Sequence, residues 1–266
     1  MTAAIAPYPP PPPATPAALA AALDAFAPPS VELLAARELM RRIDSKFVVR
    51  ATRLPALITG LERDYAAFRV DAGPVADYQS LYLDTADLTC FHDHRRGKRL
   101  RHKVRVRHYP DRGLSFLEIK SKRSDLVTHK HRISIPYGSE AIGGAELEFL
   151  RGHLGAMAEA LRPVLRINYR RIGLVALATD ERVTIDVELD FIGLDGASYR
   201  MADAAIVEVK QAVATRTSPI MRRLVDAGTR ECSLSKYTTA IATTRPELPH
   251  NRLLVDLKAV ARILAE

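Results

Sequence analysis

The sequence predicts an α+β fold in which an antiparallel sheet carries flanking helices. Three observations predict it. Segments 99–109, 114–121, 129–135, 181–191 and 205–211 alternate polar and apolar residues with the period of two that belongs to a strand. Most of them follow one another across turn signals, such as "PDRG" at 110–113 and Pro136, which favours antiparallel pairing. Helical spacing occurs beside them, at 51–65, 145–161, 217–228 and 250–266.

In chain order, residues 1–30 are rich in Ala and Pro, with "PYPPPPPATP" at 7–16. That composition favours extended polyproline II over a packed core, so a disordered tail is expected there and a folded part at 31–266. Leu33, Leu34, Leu39 and Met40 predict a short helix, followed by a strand at 43–49. Leu54, Leu57, Ile58 and Leu61 carry the next helical stripe, and "YQSLYLDT" reads as a strand ending at Asp84. "FHDHRRGKRLRH" at 91–102 reads as a solvated basic loop whose His92, His94 and His102 are not metal ligands. The alternating strands follow. "TSPIMRRLVDAG" is a helix with Pro near its start, and Leu253, Leu257, Val260 and Leu264 share one face of a terminal helix.

Composition narrows the partners. Of 266 residues, Lys and Arg number 39 and Asp and Glu 31, a net charge of +8 that favours phosphates, nucleic acid or acidic lipid. The strand faces lack interleaved aromatics and the chain has no Trp, so no nucleic-acid partner is expected. Cys90 and Cys232 have neither disulfide-framework nor metal-ligand spacing and read as reduced thiols of a cytoplasmic protein. No apolar run is long enough to span a bilayer, and no signal peptide is evident. Any membrane role would then need a separate membrane partner. The sequence leaves the oligomeric state open.

The strand faces are more specific than the totals. In "KVRVRHY" Lys103, Arg105 and Arg107 share one face and Val104 and Val106 the other. "FLEIKSK" sets Glu118 and Lys120 against Leu117 and Ile119; "ERVTIDVELDF" sets Arg182, Thr184, Asp186, Glu188 and Asp190 against Val183, Ile185, Val187 and Leu189. Lys130 and Arg132, Glu208 and Lys210, and Arg42, Asp44 and Lys46 repeat the pattern. One such strand is an ordinary half-wet strand. Together their wet faces are unusually heavy in Arg, Lys, Asp and Glu. If the sheet closes, the charged face can line a hydrated lumen while the aliphatic face packs beneath helices.

In order, "RRIDSKF", "YQSLYLDT", "KVRVRHY", "FLEIKSK", "KHR", "INYRR", "RVTIDVE", "VEVK" and "SLSKY" resemble the triphosphate tunnel metalloenzyme (CYTH-like) superfamily, and within it the VTC-type polyphosphate polymerase domain, over about residues 31–242. The resemblance implies a closed antiparallel β-barrel, a tunnel with charged interior flanked by helices. It implies ATP and polyphosphate as partners and Mn2+ or Mg2+ as cofactor. Carried over by position, Arg105, Arg107, Lys120, Arg171 and Arg182 are the catalytic set. Lys46, Lys130 and Lys236 bind phosphate, with Arg132 and Lys210 as wall neighbours. Glu208 holds the metal, helped by Glu118 or Glu188, and Asp186 is structural. Two positions depart from the pattern. The wider superfamily opens with Glu-x-Glu-x-Lys, where this chain has Arg42, Asp44 and Lys46, and eukaryotic VTC-type domains tend to carry a Lys where this chain has Ser233.

The activity implied is a metal-dependent polyphosphate polymerase, a phosphotransferase moving the γ-phosphoryl of ATP onto a growing chain. The residues also permit a triphosphate hydrolase, or a module that binds polyphosphate or inositol phosphates without turnover.

Overall fold

The structure, a computed structural model, describes residues 17–37, 42–71, 73–123 and 128–265. The strands are β1 (Ile43–Arg50), β2 (Tyr65–Ala67), β3 (Val75–Asp84), β4 (Arg101–Tyr109), β5 (Leu114–Lys122), β6 (Thr128–Ile135), β7 (Arg162–Ala176), β8 (Glu181–Gly193), β9 (Ser198–Met201), β10 (Ala204–Gln211) and β11 (Glu231–Cys232). The helices are α1 (Ala17–Asp24), α2 (Val31–Ala36), α3 (Leu54–Ile58), α4 (Thr89–Arg96), α5 (Gly144–Leu154), α6 (Met157–Ala160), α7 (Pro219–Asp226), α8 (Lys236–Thr244) and α9 (Leu254–Ala265).

All strand pairs are antiparallel, in the order β11-β1-β10-β8-β7-β3-β4-β5-β6, with β2 beside β7 and β9 beside β8. The expected closed β-barrel is not formed. Among the described residues β6 pairs only with β5 and β11 only with β1, so the sheet is open. The reason is local. β11 is two residues long, and the chain then leaves through Ser233–Ser235 into α8, so no backbone remains there to pair with β6. The sheet is nonetheless strongly curled. Four strands separate β1 from β4, yet Lys46 of β1, Lys103 of β4 and Lys120 of β5 line one cavity.

The aliphatic face packs as expected. Val183, Ile185, Val207 and Val209 meet Leu54 and Ile58 of α3 and Ile220 and Leu224 of α7. Val104, Val106, Leu117 and Ile119 meet Leu150 of α5 and Ala158 of α6. Each such side chain contributes about 1.5–3 kcal/mol when fully removed from water. The opposite face is only partly charged. At one end Tyr82, Ile167, Leu189, Phe191 and Ile206 form a third core with Tyr237, Ala240 and Ile241 of α8. That helix fills space that the sequence reading had left to water.

Three further expectations change. The ordered chain begins before Val31: α1 buries Leu19 and Leu23, and Phe26 joins them, because three large apolar side chains give the end of the Ala/Pro-rich segment something to pack. Residues 1–16, and with them the polyproline run, lie outside the described residues, as do Leu39 and Met40 and the side chain of Leu264. The supposed basic loop is largely α4, with Cys90 and Phe91 buried and Gly97 closing it at φ 70°. The longest strand, β7, lies where the sequence predicts no strand, and of it only "INYRR" enters the resemblance.

Asp84 ties these parts together. It ends β3, accepts backbone N–H bonds from Thr85 (2.8 Å), Cys90 (2.8 Å) and Phe91 (3.0 Å), and so holds the start of α4. The Tyr237 hydroxyl also donates to it, which seats α8 on the sheet.

Candidate functional site

The charged end of the curled face forms a trough. On its β3–β4–β5–β6 side the register sets Tyr82 beside Arg105, Arg105 beside Glu118 and Glu118 beside Arg132. Arg105 donates through Nε (2.8 Å) and Nη2 (2.6 Å) to Glu118 Oε2 and through Nη1 to the Tyr82 hydroxyl (3.0 Å). Lys130 Nζ meets Glu118 Oε1 at 2.6 Å, and Arg107 Nη1 lies 3.9 Å from Oε2. Arg107 is buried and donates to Ser80 Oγ at 3.2 Å. Burial alone would raise the Glu118 carboxyl, but Arg105, Arg107 and Lys130 outweigh it and hold it well below the usual carboxylate range.

A second carboxylate organises the centre. Asp186 of β8 accepts two bonds from Arg171 of β7, at 2.6 and 2.9 Å, and pairs with Lys236 at the start of α8. Against the opposing effect of burial, these two cations bring its pKa down to about 2. Tyr78 and Tyr169 stack 5.2 Å apart as a floor. Arg107, Arg171 and Lys236 lie over those rings at 4.9–5.9 Å, in cation–π range. Burial raises the Tyr169 hydroxyl to about 12 despite Arg107 and Arg171, so it stays protonated.

On the β1–β10 side Glu208 pairs with Lys46 at 3.8 Å and with Lys210. Burial opposes ionisation, yet Lys210 and Lys46 keep this carboxyl low. Where the two sides approach, a cavity of about 440 Å³ is lined by Asp44, Lys46, Lys103, Lys120, Ser233 and Ser235. Lys103 donates to Ser235 Oγ at 2.7 Å and stands opposite Lys120 in the β4–β5 register.

The structure thus brings together Lys46, Arg105, Arg107, Glu118, Lys120, Lys130, Arg171, Glu208, Lys210 and Lys236. Two predicted residues, Glu188 and Arg182, stand apart, and a third, Arg132, lies at the rim beside Glu118. Glu188 has φ 53° at the irregularity where β7 and β8 slip register. That extra residue reverses the alternation, so Leu189 enters the α8 core and Glu188 turns to Arg170 (3.6 Å), on the face away from Arg171. It is not among the trough carboxylates, and the metal assignment loses it. Arg182 lines a separate small cavity with Arg42, Thr184 and Lys210 and donates to the Leu34 carbonyl at 2.7 Å. Arg132 is exposed and rests over the Phe116 ring at 4.6 Å. Ser233, which lines the cavity, bonds Asp256 of α9.

Sequence reading missed Asp186 as a clamp for two cations and the tyrosine floor, and it placed Lys103 on the inward face without naming it among the phosphate-binding residues. For Asp186 and Lys103 the alternating faces held the signal. For Tyr78 and Tyr82 it lay in "YQSLY", whose tyrosines and serine fall on the charged side.

Among the described residues no group of three or more His, Cys, Asp or Glu side chains is placed to hold a metal ion. Of the three proposed ligands, Glu118 is enclosed by cations and Glu188 is turned away. Glu208 pairs with Lys210 and, at 3.8 Å, with Lys46, and its carboxylate oxygens on the trough face are a donor type that suits Mg2+ or Mn2+.

Comparison with curated proteins gave no match. Among solved structures the chain is similar to an adenylyl cyclase-like protein of Hippeastrum described with a dominant triphosphatase activity: 14% identity, 76% of this chain and 96% of that one, TM-score 0.48. It is also similar to a Bacillus halodurans protein described as adenylate cyclase-like, at 12% identity over 74% and 95% of the chains, TM-score 0.49. A Pyrococcus horikoshii protein matches at 13% identity over 78% and 99%, TM-score 0.45. The VTC domain family matches residues 41–245, most of the chain and every residue named above as lining the trough. With that match and the cation-lined face of the curled sheet, the chain belongs to the VTC domain family.

Proposed function

We propose that the protein is a polyphosphate polymerase that transfers the γ-phosphoryl group of ATP to the end of a growing chain held in the trough. The observation that carries this reading is the convergence of Lys46, Arg105, Arg107, Lys120, Lys130, Arg171 and Lys236 from both sides of the curled sheet onto one face. Phosphoryl transfer asks mainly for positioning and charge neutralisation, and these groups supply both. Arg105 and Arg171 present planar forks already oriented by Glu118 and Asp186, so little ordering is left when phosphate arrives. Arg107 is held by Ser80 and the tyrosine floor. Lys103 and Lys120 face the cavity, form no ion pair among the described residues, and are the natural seat for a further phosphate. Arg182, away from this cluster, is left an outer role at most.

Glu208 would hold a divalent ion, Mg2+ or Mn2+, which would supply further positive charge to the nucleotide phosphates. The carboxylates also bear on the attacking group. Glu118, Asp186 and Glu208 are all held ionised by cations, so none is poised to take a proton from water near neutral pH. A chain-end phosphate is already ionised and needs no such base, which favours transfer over hydrolysis.

The test is incubation of the protein with ATP and Mn2+, reading ADP, free phosphate and acid-labile chains. ADP with chains supports the polymerase. Free phosphate alone would replace it with the hydrolase, and binding without either product with a non-catalytic module.

A further inference from the structure

A cavity of about 270 Å³ opens on the other side of β1, between α3, the end of α7, β11 and α9. Its walls are apolar: Val49, Leu57, Ala259 and Ile263 face it. Its lining also holds Arg50, Arg53, Arg223, Arg230 and Arg262, and no Asp or Glu. No ion pair among the described residues engages these five arginines. Arg223 donates to the Ala56 carbonyl at 3.2 Å, and Arg50 keeps a buried Nε without a hydrogen-bond partner. Gly228, at φ 68°, turns the chain after α7 and returns Arg230 to the rim.

Five like charges around a small hole repel one another, and no side chain lining it offsets them. An anion would. The apolar walls add a second requirement, since a bare phosphate leaves them wet, whereas an apolar body removes both surfaces from water. We propose that this cavity is a second ligand site, separate from the trough, for a small amphiphilic anion: an apolar body of about naphthalene size bearing one carboxylate, sulfonate or phosphate. The guanidinium fork suits each of those oxyanion groups.

Cys232 lines the cavity and is partly exposed, while Cys90, the other cysteine, is buried. A thiol label therefore reaches this wall of the cavity, and because Cys232 stands opposite Lys46 of the trough, the labelled protein is also checked for unchanged tripolyphosphate affinity. Burial pushes the Cys232 thiol up, so labelling is done at alkaline pH.

The experiment titrates the full chain with anilinonaphthalene sulfonate in saturating tripolyphosphate, which occupies the trough. The expected result is a saturable rise in fluorescence that decanoate competes away. Binding weakens at least about tenfold in R53E/R230E, whose two sites are exposed, an effect matching loss of a charge-assisted contact. It is lost when Cys232 carries a bulky maleimide and retained in Cys232→Ser treated the same way. Four outcomes overturn the proposal: no saturable binding, saturable binding only when tripolyphosphate is left out, equal binding of uncharged phenylnaphthylamine, or binding that survives the label. The label and competition arms decide the question even if the double variant folds poorly.

Discussion

The Lys103 ammonium donates to the Ser235 hydroxyl at 2.7 Å, joining β4 to the approach to α8, and forms no ion pair among the described residues. Burial, followed by Lys120, Lys46, Arg105 and Arg101, holds its pKa well below the ordinary lysine value of 10.5. The folded state therefore binds this proton more weakly than the unfolded chain. That cost is present in full below the folded-state pKa and fades as pH rises toward 10.5. Lys103→Met is expected to raise the melting temperature at pH 7 by about 2 °C or more, with the gain shrinking as pH rises. The same variant should bind tripolyphosphate about tenfold more weakly. Thermal scans from pH 6 to 10 check the first point and calorimetric titration the second. Destabilisation that does not change with pH would show that Lys103 is a structural residue.

Asp186 clamps Arg171 and Lys236 together. Asp186→Asn leaves two inward cations facing each other and should cost about 3–5 kcal/mol in urea unfolding at pH 7. The native carboxyl titrates near 2, below the ordinary 3.8. Its contribution is complete above the unfolded value and is lost as pH falls through the folded one. The gap between wild type and variant should hold down to about pH 4 and then narrow. A gap that grew in acid would contradict the assignment.

Tyr237 reaches Asp84 from α8. Removing one hydroxyl, Tyr237→Phe, leaves the ring in its core and a buried carboxylate short of a donor. A loss of about 1–3 kcal/mol is expected. Because α8 carries Lys236 into the trough, tripolyphosphate affinity should fall as well. Unchanged affinity in a destabilised variant would confine Asp84 and Tyr237 to stability.

Glu118 and Glu188 look alike in sequence and differ in place. Glu118→Gln removes the partner of three cations and should cost about 3 kcal/mol or more. Glu188→Gln touches only the pair with Arg170, and should change stability by under about 1 kcal/mol while leaving metal dependence intact. Glu208→Gln is the variant in which the metal requirement should change. A metal requirement abolished by Glu188→Gln instead would return that residue to the site.

Val104, Val106, Leu117 and Ile119 were assigned to one buried face from alternation alone, and all four are buried. Arg105 and Glu118 follow from the same alternation and Arg171 from the resemblance, and the three meet in the trough. β7 was harder to read. Arg166, Asn168 and Arg170 share a face with Ile172, Leu174 and Ala176, so polar and apolar stretches succeed each other on one side and the period-two signal cancels.

Alternation is a property of neighbours along the chain, so the sequence by itself determined the antiparallel strands, their charged and aliphatic sides, and the family resemblance. Tertiary structure alone decided three things: that the sheet stays open, that α8 fills one end of the inner face, and that Glu188 turns outward. Edge pairing and helix docking depend on residues distant in the chain, and one inserted residue in β8 reverses every side that follows it without altering the local pattern. The expectation of a closed ring failed on those grounds. The phosphate-handling proposal therefore rests on the shared face of a curled, open sheet.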